Sequence, residues 1–140
     1  MEMTIAQKLA MPFPEYMIKW RSQYDKKARQ QIHLAYIDAR DVMKRLDDVL
    51  GIDGWQDKIT MHGNGAVCEL SLLINGTWIT KSDVSGEGNF EAEKAASSTA
   101  FKRAAAKFSV ARYLYYLPKT VQPGALPTWA TPEGYKNRIE

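Results

Sequence analysis

Along residues 66–74, AVCELSLLI, apolar and polar positions alternate. Ala66, Cys68, Leu70, Leu72 and Ile74 fall on one side, Glu69 and Ser71 on the other. A period of two belongs to a strand with one buried face. The flanking segments GWQDKITM and TWITKSDV are its predicted partners, reached through His62-Gly63-Asn64-Gly65 and Asn75-Gly76. Asn-Gly supplies the positive backbone angles of a tight hairpin turn. The expectation is a three-stranded antiparallel meander with one face to be covered.

The cover is read from the segment beginning near Phe90. At about 100° per residue, Phe90, Phe101 and Phe108 share a narrow arc, flanked by Ala104 and Ala105. Small alanines let such a helix lie close on a sheet. Arg103 and Lys107, four apart, project away from the phenylalanines, and Lys102 sits on the shoulder. A second helix is predicted over DARDVMKRLDDVLG. Asp38 is its N-cap, Val42, Leu46, Val49 and Leu50 its apolar face, and Gly51 its stop. Trp55 after Gly54 reads as a core anchor.

Upstream, the first 23 residues offer two short helical pieces broken at Pro12 and Pro14. YDKKARQQ reads as a polar, basic loop and IHLAYI as a short strand. Beyond Pro118 the pattern ends. Residues 119–140 hold three of the six prolines and read as an extended tail. The fold class is therefore α+β: a three-stranded antiparallel β-meander, plus a short N-terminal strand, covered by a long α-helix. Residues 1–118 form the folded domain and 119–140 its tail.

Composition narrows the chemistry. A chain of 140 residues with 45% hydrophobic and 25% charged side chains suits one globular domain. A formal net charge of only +3 means that any polyanion site must come from local clustering. The single cysteine, Cys68, excludes an internal disulfide and a multi-cysteine zinc site, and fits a reducing compartment. No apolar run approaches the roughly 20 residues that span a bilayer, and the start lacks the order of a secretory signal. A soluble intracellular or nucleoid-associated protein is expected, with no membrane partner.

No catalytic pattern stands out, so no enzyme and no cofactor is expected. His33 and His62 lack the spacing of metal ligands. SGEGNFEAEKAASS is glycine-rich at its start but lacks the lysine after the second glycine that marks a phosphate-binding loop. Asp83, Glu91, Glu93 and Lys94 are the residues a magnesium-dependent nuclease would use. Glu91 and Glu93 also suit a helix's first turn, where negative charge favours the dipole. The basic residues Lys94, Lys102, Arg103, Lys107 and Arg112 are left as candidates for a polyanion, against the alternative of a solvated helix face. Tyr113, Tyr115 and Tyr116 are suited either to base stacking or to packing on a neighbouring subunit.

Three stretches, YIDARDVMKRLDDVLGIDGWQDKIT, SDVSGEG and EAEKAASSTAFKRAAAKFSVARYLYYLP, resemble the core of Rad52-type single-strand annealing proteins, nearest their bacterial and phage branch. The resemblance spans residues 13–118. It implies an ATP-independent protein that binds single-stranded DNA, anneals complementary strands, and acts in homologous recombination and double-strand-break repair. It also implies a homo-oligomeric ring with DNA in an outer basic groove. By that resemblance Lys102 and Arg103 contact the DNA backbone, Lys26, Lys27 and Arg29 contribute, and Tyr36 is the aromatic at the strand end. One departure is Ala106, where eukaryotic members carry a further arginine; Lys107 is the adjacent substitute. The long carboxy-terminal region that recruits a recombinase in those members has no counterpart here, so no mediator role is carried over. Two other readings stay open: an end-protecting single-strand binder without annealing activity, and a double-stranded-RNA-binding domain, which also pairs a meander with a helix.

Overall fold

The computed structural model describes residues 2–86 and 90–140, the side chains of 90–94 excepted. Helix α1 (Ile5–Ala10) starts with a capping box in which Thr4 and Gln7 exchange side-chain-to-backbone hydrogen bonds. The prolines at 12 and 14 end it, and a single 3₁₀ turn follows at Glu15–Met17.

The next segment departs from the sequence expectation. Strand β1 (Lys19–Asp25) pairs antiparallel with β2 (Gln30–Tyr36), Lys19 facing Tyr36 and Asp25 facing Gln30. The anticipated lone strand is one arm of a two-stranded sheet, and the expected loop over 24–31 shrinks to a four-residue turn. Neither glycine nor asparagine marks that turn. Arg29 takes the left-handed conformation (φ 55°), and the Asp25 carboxylate accepts the Lys27 N–H at 3.0 Å.

Helix α2 (Ala39–Leu50) buries Val42 and Leu46 and stops at Gly51 (φ 84°). Asp38 holds the N-cap position, but its carboxylate does not cap the helix. It accepts from Lys19 Nζ at 2.5 Å instead, and this pairing raises the Lys19 pKa. Arg45 of α2 binds the end of α1, its Nη1 donating to the carbonyls of Lys8, Leu9 and Met11 while its guanidinium lies 4.0 Å from the Phe13 ring centroid. Trp55 anchors the start of the next strand, its Nε1 donating to Asp47 at 2.7 Å and its ring 5.8 Å from that of Phe101.

The meander is present as β3 (Trp55–His62), β4 (Gly65–Ile74) and β5 (Thr77–Ser85), antiparallel and in that order. The first turn is Gly63-Asn64, with positive φ at Gly63 (58°); the second, Asn75-Gly76, has it at both residues (52° and 79°). Ala66, Cys68, Leu70 and Leu72 of β4 are buried as the alternation requires.

Helix α3 (Phe90–Ala106) lies across β4 and β5, burying Ala96, Ala100, Phe101, Ala104 and Ala105. The expected contact of Phe90 falls outside the described side chains. The helix ends earlier than expected, so Lys107 and Phe108 lie just beyond it, although Phe108 stays buried. Ser109 N–H bonds the Ala106 carbonyl (2.9 Å), Val110 N–H bonds that of Ala105 (3.1 Å), and Ser109 is left-handed (φ 76°). That is a Schellman stop with serine in the place usually held by glycine.

The tail is not extended. A 3₁₀ turn (Thr128–Ala130) leads into α4 (Pro132–Ile139). Thr131 caps α4 by accepting the Gly134 N–H at 3.1 Å, and proline fits the first helical position. The segment docks on the domain: Ala130 is fully buried, Tyr135 Oη donates to the Gln7 carbonyl (3.2 Å), and the Lys119 carbonyl accepts from His33 N–H (2.7 Å). Among the described residues no helix is long and apolar enough to cross a membrane.

Candidate nucleic-acid interface

The last turn of α3 sets Lys102 and Arg103 about 100° apart around its axis, so the neighbours serve different clefts. Lys102 turns toward the β1–β2 hairpin. Its Nζ lies 5.5 Å from the Tyr36 ring centroid, a cation–π distance. Loss of solvent lowers its pKa, with Asp38 acting in the opposite direction. Tyr36 and Lys102 line a small hollow of about 110 Å³ together with Leu114 and Tyr115.

Arg103 turns toward β5. Its Nη1 donates to the Val84 carbonyl at 3.0 Å, and Lys107 Nζ donates to the carbonyl of Ser82. Arg112 Nε and Nη2 donate to the carbonyls of Ala106 (2.7 Å) and Lys107 (2.8 Å), closing the end of α3. Lys81 Nζ adds a third donor to that end, 3.1 Å from the Lys107 carbonyl. Helix ends concentrate partial negative charge on such carbonyls, which is why cations collect there.

The result is a cleft of about 420 Å³ lined by Asp83, Arg103, Ala106, Lys107, Arg112 and Tyr115. Three cations face one carboxylate. Backbone carbonyls orient these cations without cancelling their charge. The ion pairs found among the described residues, Lys19–Asp38 and Lys44–Asp48, both lie elsewhere. Asp83 accepts the Val84 N–H (2.7 Å). Cations in net excess over carboxylate among the described lining residues are an electrostatic match for a phosphate backbone.

The structure thus brings Arg103, Lys107 and Arg112 together in one cleft and puts Lys102 with Tyr36 in the hollow beside it, Tyr115 lining both. Lys26, Lys27 and Arg29 are exposed at the far tip of the hairpin, six residue pairs and about 20 Å from Tyr36. They are not part of this cluster. The Lys94 side chain, like those of Glu91 and Glu93, lies outside the described residues. Among those described, no three His, Cys, Asp or Glu side chains converge as metal ligands would. Lys81 escaped the sequence reading. Its strand parity, shared with Ile79 and Asp83, was the available signal, but only the place where α3 stops shows that it reaches the helix end.

A helix-covered meander with a separate hairpin makes this an α+β protein with cations gathered where the helix meets the sheet edge. The chain belongs to the Rad52/22 family of double-strand break repair proteins, whose family model matches residues 2–128. Two relatives are each 32% identical over 143 residues, covering 92% of this chain. They are the single-stranded DNA-binding protein DdrA of Deinococcus deserti, of which 71% is covered, and that of Deinococcus radiodurans, of which 68% is covered.

Proposed function

We propose that the chain binds single-stranded DNA by its phosphates and anneals complementary strands without ATP or metal, as an oligomer acting in recombinational repair. The observation that carries this reading is the cleft at the end of α3, where Arg103, Lys107 and Arg112 are oriented by backbone carbonyls. Phosphate contacts hold a strand without reading it, which leaves base edges free to pair. The family match and the single-stranded DNA binding in the relatives' names support the choice of polyanion. They lend nothing to a double-stranded-RNA reading. Lys26, Lys27 and Arg29, on their own hairpin tip, extend the same electrostatic path in this proposal.

Oligomerisation has a physical motive. Arg103 and Lys107 cover outward carbonyls of the β5 edge, whereas β3 forms the other edge with Ile59 (38% exposed) and Met61 (48% exposed) beside the core. An uncovered edge with an apolar flank is a pairing surface for another copy.

The test is a titration of labelled single strands at several salt concentrations with the parent and with Lys102→Ala/Arg103→Ala. The double variant is expected to bind all sequences more weakly, its salt slope reduced by roughly 0.7 per lost contact. Parental affinity and slope would leave these residues as a solvated face. Adding the complementary strand separates annealing from end protection, the second reading, which the relatives' names also fit.

A further inference from the structure

A further cavity, of about 260 Å³, lies between the end of α1, the 3₁₀ turn at Arg112–Tyr116 and helix α4. Its walls include Tyr113, Tyr116, Trp129 and Tyr135, with Arg112 and Arg138 among them. We propose that this cavity takes an unpaired base of a bound DNA strand, stacked on the exposed aromatic rings, with the two arginines on the adjoining phosphates. The inference rests on the single-strand reading above and adds a stacking subsite to it.

Three features point to a base. The rings are held in place by their far ends: Tyr113 Oη accepts the Phe13 N–H at 2.9 Å, and Tyr135 Oη donates to the Gln7 carbonyl. Burial pushes the Tyr113 phenol up to about 12, so it stays neutral. Next, two rings keep exposed surface. Tyr116 is 68% exposed and Trp129 39%, whereas rings that merely glued α4 to the domain would be covered. Finally, the cavity is cationic and shares a lining residue with the phosphate cleft. Arg112 lines both, and Arg138 lies 5.0 Å from the Tyr135 ring centroid. Flat π faces beside guanidinium groups favour a nucleobase carrying its phosphate over an apolar ligand. The volume is below the roughly 300 Å³ at which clefts for drug-sized ligands begin, a scale suited to a single base. Trp129, Tyr135 and Arg138 lie beyond the residues matched by the family model, so this site is built partly from a segment outside the matched core.

The experiment compares a thymidine oligonucleotide with an abasic deoxyribose-phosphate strand of the same length. Both are titrated against the parent, Tyr116→Ala, Tyr116→Phe and Lys102→Ala/Arg103→Ala. Tyr116→Ala is expected to weaken thymidine-strand binding by about 5- to 150-fold, the range of one lost base stack. Abasic-strand affinity and the salt slope stay parental, and Tyr116→Phe binds as the parent does. Equal loss on both strands, or no loss on either, overturns the stacking site. If the charge-removed double variant weakens while Tyr116→Ala does not, the stacking site falls and the phosphate reading stands. If the parent binds neither strand in a salt-dependent way, both fall.

Discussion

Lys102 and Arg103 are adjacent in the chain and differ in what their loss removes. Lys102 lies over the Tyr36 ring, whereas Arg103 also ties α3 to the β5 edge through the Val84 carbonyl. Arg103→Ala is therefore expected to cost about 1 kcal/mol of stability in addition to a phosphate contact. Lys102→Ala should leave the thermal melt nearly parental while weakening DNA binding. Melts and titrations on the two single variants check this. Cys68 supplies a residue-scale pH prediction. Burial, with Asp57 and Glu69 adding, raises its pKa from 9.0 to about 11. Because the folded value lies above the unfolded one, the associated stability is present below about pH 9 and lost as pH rises through about 11. Cys68→Ala should flatten that alkaline limb in denaturant melts. In the parent, the thiol should resist alkylation at pH 8 until the protein unfolds.

At the scale of elements, the C-terminal part of α3 and the stop that follows it respond to substitution in opposite directions. Phe101 is the largest fully buried side chain among the described residues and packs from α3 against Trp55, so Phe101→Ala should cost about 3–5 kcal/mol and disturb the fold before DNA binding. Ser109 pays for a left-handed angle that glycine adopts freely, so Ser109→Gly should stabilise the protein by about 1 kcal/mol in chemical denaturation. Helix α4 depends on close approach. A Cβ at Gly134 would stand 2.0 Å from the Thr128 carbonyl oxygen, so Gly134→Ala should cost about 1–3 kcal/mol and loosen this segment. Hydrogen exchange would show the loss confined to residues 128–139, with β4 protected as in the parent.

For the whole molecule, the net charge of +3 matters less than its distribution. Cations sit on the hairpin tip and at the end of α3, while exposed apolar side chains flank both outer strands of the meander, Trp78, Ile79 and Val84 on β5 and Ile59 and Met61 on the β3 edge. Light scattering is expected to report an oligomer that Met61→Glu weakens, since a charge at that edge opposes pairing. A parent that stays monomeric at micromolar concentration with DNA present would contradict the assembly. Annealing of complementary oligonucleotides should persist in EDTA and without ATP, because the proposed action is electrostatic.

The period-two pattern of residues 66–74, the Asn75-Gly76 turn and the apolar face of residues 42–50 are determined by local chemistry, and each is legible in the amino-acid sequence alone. So are the clustering of Lys102, Arg103 and Lys107, and the motif set that resembles the family. Of the β1–β2 hairpin, β2 is legible there, but β1 and the pairing of the two are not. Its strands are mostly exposed, so burial imposes little alternation, and Arg29 occupies the left-handed position that glycine would have marked. The stop of α3 is hidden for the same reason at Ser109. Helix α4 does carry a local signal in Thr131-Pro132, but the surrounding prolines suggest an extended tail, and docking through Ala130 and Tyr135 decides otherwise. Where the cations point is a tertiary matter altogether. Lys102 finds Tyr36, Arg103 finds Val84 and Arg112 finds Ala106 because α3 crosses β4 and β5 at one position, and no periodicity within the helix specifies that crossing.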